Sequence, residues 1–187
     1  MKVVLIEDDQ LQAGWTRDAL SDAFEDLEIR HFATSSGFVA ALPELAVSGF
    51  DVLISDMLVR WTTLDSDSTR APDGWRYFEA GVQHVNAMRQ TEGLRNVPAI
   101  LWTVMSSSAI SNDHIPPLTI FLTKNDDVRQ LIRAIRSLMI VTGKTAKAKR
   151  TFWKDIGDSA QLKPGFAGMS VDLKKLWNTL WGSRDEP

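Results

Sequence analysis

VVLIEDD, residues 3–9, decides the architecture: four apolar residues, Val3 to Ile6, run straight into Glu7, Asp8 and Asp9. An unbroken apolar run of this length is how a strand buried on both faces reads, and its abrupt acidic end marks the edge facing solvent or a site. The pattern returns at Val52–Ser55 ending in Asp56, at Ala99–Thr103, and at Thr119–Thr123 ending in Lys124. Between these runs the apolar spacing turns helical. Leu11, Trp15, Ala19, Leu20, Ala23 and Phe24 follow the first strand, and Glu28–Phe32 then shifts to a strand-like pattern. Helices are predicted near Ser36–Val47 and Gly74–Gln90, and a weaker one within Ser106–His114. Val128, Leu131, Ile132, Ile135, Leu138 and Met139 give the stripe of a fifth.

Strict alternation of strand and helix implies parallel strands joined by right-handed crossovers. Five of each predict an α/β fold, a flavodoxin-like doubly wound five-stranded parallel sheet of order 2-1-3-4-5, with its ligand site beyond the strand C-termini.

The 187 residues suit one domain with an appendage: 1–141 as the domain, 142–187 as a basic linker and short helical C-terminal extension. A hydrophobic fraction of 44% with 24% charged residues argues against a disordered chain. No run of about 18 apolar residues exists and the N-terminus lacks the sections of a signal peptide, so a cytoplasmic protein without membrane insertion is expected. Absence of cysteine excludes disulfide and thiolate-zinc chemistry, and His31, His84 and His114 have no metal-ligand spacing. Residues 142–187 carry nine Lys/Arg against five Asp/Glu, a surplus of +4, which leaves −7 on the first 141 of a chain whose net charge is −3.

The strand ends carry one coherent polar set: Glu7 and Asp8, Asp56, Thr103 and Lys124. In the proposed order these four strands are neighbours, so the side chains converge on the switch-point crevice. Three crowded carboxylates repel one another unless a positive group joins them, and Mg²⁺, with its preference for oxygen ligands, suits that place. A carboxylate nucleophile, a cation, a lysine and a hydroxyl donor are the groups that phosphoryl transfer needs.

VVLIEDD, DVLISDM, Asp73-Gly74, VPAILWT and IFLTK together resemble the response-regulator receiver family, over roughly the first 141 residues. The resemblance implies Asp56 as phosphoacceptor and metal ligand, Asp8 as direct metal ligand, Glu7 holding the metal through water, and the Leu58 carbonyl completing the shell. It implies that Thr103 donates to a phosphoryl oxygen, that Lys124 pairs with another, and that Phe121 is the aromatic switch. The expected partners are a histidine kinase or histidine phosphotransfer protein upstream and a downstream protein target or a self-dimer. The chain would then be no enzyme beyond its own Mg²⁺-dependent phosphorylation and dephosphorylation.

Three departures bear on function. Val104 and Met105 follow Thr103 where the family usually has a small residue, which restricts water's path to the phosphate. Asn125 replaces the usual proline after the lysine, so a cis peptide is not expected there. The loop Val59–Asp73 is about ten residues longer than the family norm, long enough to lid the site or touch a partner. Its DSDST run lacks the glycine and the closing glutamate of a calcium loop.

In the tail, Leu173, Leu176, Trp177, Leu180 and Trp181 predict a short apolar-striped helix that docks on its own domain, across a dimer or on another protein. Lys144, Lys147, Lys149, Arg150 and Lys154 form a run that could meet phosphates, but the segment is too short for a winged helix, and nucleic acid is not the expected partner. The function expected is a two-component signal-transduction response regulator working through protein interaction. The alternatives are a phosphorylation-independent receiver-fold binding module and a regulator with DNA contacts through its basic tail.

Overall fold

The computed structural model describes residues 1–63, 70–105, 115–124 and 127–142. The helix expected within Ser106–His114, the peptide at Asn125, the DSDST run and the extension beyond residue 142 lie outside the described residues.

The elements run β1 (Lys2–Ile6), α1 (Gln10–Ala23), β2 (Glu28–Phe32), α2 (Ser35–Ser48), β3 (Val52–Ser55), a 3-10 turn (Tyr77–Glu79), α3 (Ala80–Gln90), β4 (Ala99–Thr103), β5 (Thr119–Thr123) and α4 (Arg129–Val141). All five strands are parallel, as the alternation required, and lie in the expected order β2-β1-β3-β4-β5. Successive side chains of a strand point to opposite faces, so each buried strand feeds two cores. Val4, Ile6, Leu53, Ala99 and Leu101 pack under α2 and α3, whereas Val3, Leu5, Val52, Ile54, Ile100 and Trp102 pack under α1 and α4. This two-sided burial is the reason those strands carry almost no polar residue before their ends. Among the described residues no helix is long and apolar enough to cross a membrane.

Two sequence expectations need correction. Leu11 and Trp15, assigned to the apolar stripe of α1, are each 69% exposed, and the buried face runs through Ala13, Thr16 and Leu20. Small residues at 13 and 16 let the helix lie close to the sheet, and that outweighs the larger hydrophobes one step around the helix. The third helix begins at Ala80 rather than Gly74. Gly74 has φ +85° and the Trp75 N–H donates to the Pro72 carbonyl at 3.0 Å, so Asp73-Gly74 forms a glycine-dependent turn ahead of the helix.

At the end of the sheet away from the acidic strand ends, one side chain joins three segments. The Arg89 guanidinium donates to the carbonyls of Leu94 (3.4 Å), Arg95 (2.8 Å) and Val97 before β4, and to Pro117 (3.1 Å) and Leu118 (3.5 Å) before β5. Burial lowers its pKa to about 10, still far enough above neutrality to keep the charge. Arg89→Met is therefore expected to cost about 2–4 kcal/mol, because several carbonyls lose a charged donor at once. Urea unfolding checks it: a midpoint shift worth less than about 1 kcal/mol would show that water replaces the guanidinium.

Candidate functional site

The C-terminal ends of β1, β3 and β5 bring three sequence-nominated side chains into direct contact. Lys124 Nζ lies 2.5 Å from Glu7 Oε2 and 2.7 Å from Asp56 Oδ2, with all three side chains at most 8% exposed. A buried lysine between two carboxylates holds its proton more firmly. Desolvation opposes the charge, but the attraction of Asp56 and Glu7 outweighs it and raises the Lys124 pKa above its ordinary value. Glu7 is also raised, foremost by burial and further by the charge of Asp56, with Lys124 pulling the other way.

Asp56 is held at both oxygens. Oδ1 accepts from the backbone N–H groups of Met57 (2.5 Å) and Leu58 (3.2 Å), Oδ2 takes the lysine, and the Asp56 N–H donates to the Ile6 carbonyl at 3.0 Å. Behind it, the Ser55 hydroxyl donates to the Asp56 carbonyl at 2.9 Å and lies 2.9 Å from His84 Nδ1. With that serine proton engaged, His84 must donate from Nδ1. Complete burial lowers the imidazole pKa to about 3, so it serves as a neutral support.

The remaining nominated residues divide. Asp8 is not on the lysine; its Oδ2 accepts from Arg60 Nε at 3.0 Å. Asp9 caps α1, its Oδ1 accepting from the N–H groups of Leu11 (2.9 Å) and Gln12 (3.1 Å). Thr103 is fully buried at the end of β4, where its carbonyl accepts from the Lys124 N–H at 2.5 Å and its hydroxyl accepts from the Met105 N–H at 3.4 Å. Met105 turns toward the α2–α3 core, whereas Val104 is 58% exposed. Phe121, paired in register with Leu101, is partly buried against the same core. Leu58 meets Asp56 through its N–H.

The donor set suits a hard divalent cation: three carboxylates on two adjacent strands, one of them pushed up by burial, are chemistry that a cation would relieve. As the side chains stand, Lys124 and Arg60 occupy those oxygens, and among the described residues no three acidic or histidine side chains are gathered closely enough to hold a metal.

No protein-family model matches the chain, and no curated protein matches it in sequence. Solved structures do match. A signal receiver domain of a two-component histidine kinase from Clostridium thermocellum superposes with TM-score 0.55 at 14% identity, over 74% of this chain and 96% of its own. The chemotaxis response regulator CheY4 of Vibrio cholerae gives TM-score 0.53 at 19% identity, over 73% and 97%. The Mn²⁺-bound form of response regulator Rcp1 gives 0.50 at 14%, over 74% and 91%. This chain has the response-regulator receiver fold.

Within that receiver fold, sequence reading passed over four residues of the site. Arg60 lies in a stretch read as loop, Ser55 and His84 support Asp56 from inside the core, and Tyr77 sits in the 3-10 turn near the acids. The Tyr77 pKa is raised, first by desolvation and then by the charges of Asp8, Asp56 and Glu7, with Arg60 opposing. A fifth is Gly81, which had no signal except its place early in a helical stretch. A Cβ there would come within 2.7 Å of the Asp56 carbonyl oxygen and 3.0 Å of Met57 Sδ and Leu101 Cδ2. The Ala80 N–H donates to the Met57 carbonyl at 3.1 Å, so α3 starts directly against the loop carrying the phosphoacceptor candidate.

Gly81→Ala is accordingly expected to cost about 1–3 kcal/mol, since the closest atom it meets is backbone and cannot rotate away; an unaltered urea midpoint would mean that α3 shifts freely. Glu7 supplies a pH test. Its folded pKa lies above the unfolded value of 4.5, so the folded state holds the proton more tightly. Stability contributed by that proton is present below about pH 4.5 and lost as pH rises through the folded pKa. Relative to Glu7→Gln, the wild type should therefore lose stability between acid and neutral pH. A difference that stays constant, or changes in the other direction, would contradict this.

Proposed function

We propose that the chain is a response regulator whose receiver domain, residues 1–141, accepts a phosphoryl group on Asp56 from a histidine kinase or histidine phosphotransfer protein. The observation that carries the reading is the buried Glu7–Lys124–Asp56 contact at the C-terminal edge of a receiver-fold sheet. Buried charges of this kind are costly to maintain and contribute little to stability for that cost, so they point to chemistry rather than to structure.

In this reading an Asp56 carboxylate oxygen attacks phosphorus, the bond from phosphorus to the donor nitrogen breaks, and the nitrogen leaves with the electron pair. Main-chain N–H groups fix Oδ1 of Asp56, so the carboxylate keeps its orientation while charge shifts. Oδ2 is held by Lys124, whose ammonium can move onto a phosphoryl oxygen as negative charge collects there. Thr103, whose hydroxyl oxygen accepts from the Met105 amide, would donate its hydroxyl proton to a second phosphoryl oxygen. Phe121 would carry the change to the α2–α3 core against which it packs. Asp8, Asp56 and the Leu58 carbonyl, with Glu7 through water, are the groups that would hold Mg²⁺. The ion would supply charge neutralisation at the transferring group.

Output passes to a downstream protein target or a second copy of the chain, with residues 142–187 as an extension, in a cytoplasmic setting. One observation favours a second reading, a phosphorylation-independent binding module: each of the three carboxylates already has a cationic partner from within the chain, Lys124 on Glu7 and Asp56 and Arg60 on Asp8.

Intact mass after incubation with a small phosphodonor tests the choice. One phosphoryl adduct is expected on the wild type with Mg²⁺, and none without the ion or in Asp56→Asn. A wild type that stays unmodified under all conditions would transfer the proposal to the second reading.

A further inference from the structure

Arg60 is the cation of the site that no sequence pattern nominated. Its side chain is about half exposed, yet its Nε sits 3.0 Å from Oδ2 of Asp8, whose side chain is only 15% exposed. The backbone beneath it is fixed. The N–H groups at the start of α2 have no partner within their own helix, and the segment after β3 supplies them. The Ser35 N–H donates to the Arg60 carbonyl at 2.9 Å and the Ser36 N–H to the Trp61 carbonyl at 2.9 Å, while the Ser35 hydroxyl reaches the Val59 carbonyl at 3.3 Å. Trp61 then packs on Trp75 with ring centroids 4.6 Å apart. The guanidinium is delivered to Asp8 from a backbone hydrogen-bonded to the start of α2, while about half of the side chain is open to solvent.

The charge balance says what this does. Glu7, Asp8 and Asp56 bring three negative charges, and Lys124 and Arg60 return two positive ones, leaving the cluster with one uncompensated negative charge. A divalent cation entering while Arg60 stays would overshoot to one positive charge; with Arg60 displaced into water the entry is balanced. A single N–H contact from a half-exposed guanidinium is also the kind of ion pair that costs little to open.

We infer that Arg60 is a resident counter-cation of Asp8 that a divalent cation must displace, so that it sets the threshold concentration at which the site loads. Arg60 acts through Asp8 and is a positioning residue. The inference rests on the metal-dependent reading above and adds a residue-level control of that step.

Direct Mn²⁺ binding, counted by the electron paramagnetic resonance signal of the free ion, separates the two. At low ionic strength Arg60→Gln is expected to bind Mn²⁺ on the order of fivefold tighter than the wild type, Arg60→Lys to stay near the wild type, and Asp56→Asn to lose the site. Equal or weaker binding by Arg60→Gln, with Asp56-dependent binding intact in the wild type, overturns the role of Arg60 and leaves the metal reading standing. Absence of Asp56-dependent binding in both the wild type and Arg60→Gln overturns the metal reading and this inference with it. A second readout needs no variant: the Arg60 Nε–H resonance of the wild type should move as Mg²⁺ saturates the site. A resonance unchanged at saturation equally overturns the displacement.

Discussion

Two buried carboxylates at the end of the sheet, Glu7 and Asp56, joined through Lys124, set the constraint on which the rest of the site depends. Water is largely excluded from Glu7 and Asp56, so their charges must be met by other charges or by protons. Lys124 meets both at once, and its main-chain N–H on the Thr103 carbonyl ties that lysine to the end of the neighbouring strand. Removing one member of such a buried set generally costs about 3–5 kcal/mol, because the remainder is left uncompensated. Side-chain chemistry and the closing of the sheet edge are therefore the same interaction.

Around that contact the backbone leaves little freedom. The amides of Met57 and Leu58 close on Asp56, Ser55 and the neutral His84 brace its carbonyl, and Gly81 lets α3 approach that carbonyl with no side chain between. The segment after β3 satisfies the start of α2 and in doing so carries Arg60 to Asp8. What composition and turn residues suggested was an open loop is, at its first residues, a strap across the top of the sheet. Order in a fixed scaffold beneath movable charged tips is the arrangement that a site needs when charge must be exchanged there.

Much of the fold was legible because it rests on periodicities that survive in one dimension. β2, β3, β4 and β5 fall on the residues expected, and β1 differs by one residue. β1, β3 and β4 are buried on both faces and read as unbroken apolar runs, whereas the edge strands β2 and β5, only partly buried, were legible from the switch out of helical spacing. The two misreadings concern neighbours that periodicity does not see. Ala13 and Thr16, rather than Leu11 and Trp15, face the sheet because small residues allow the closer approach. Asp73-Gly74 turns the chain before α3 instead of opening it, because Gly74 takes a left-handed conformation. In the site, Glu7, Asp56 and Lys124 could be placed in one crevice from sequence, since the ends of neighbouring parallel strands converge in a sheet of this order. Arg60, Tyr77 and Gly81 could not, since nothing in their local pattern separates them from an ordinary loop or helix residue.

The sequence by itself determined the alternation of parallel strands and helices, the two-sided core and the identity of the acids and the lysine at its edge, because burial and alternation constrain residue type at each position. Only the tertiary structure decided which charge meets which. Lys124 spans Glu7 and Asp56 while Arg60 takes Asp8, an allotment set by distances between residues 52 and 117 positions apart. Coulomb energy depends on separation in space and on local solvent, and neither quantity is carried by any single stretch of chain.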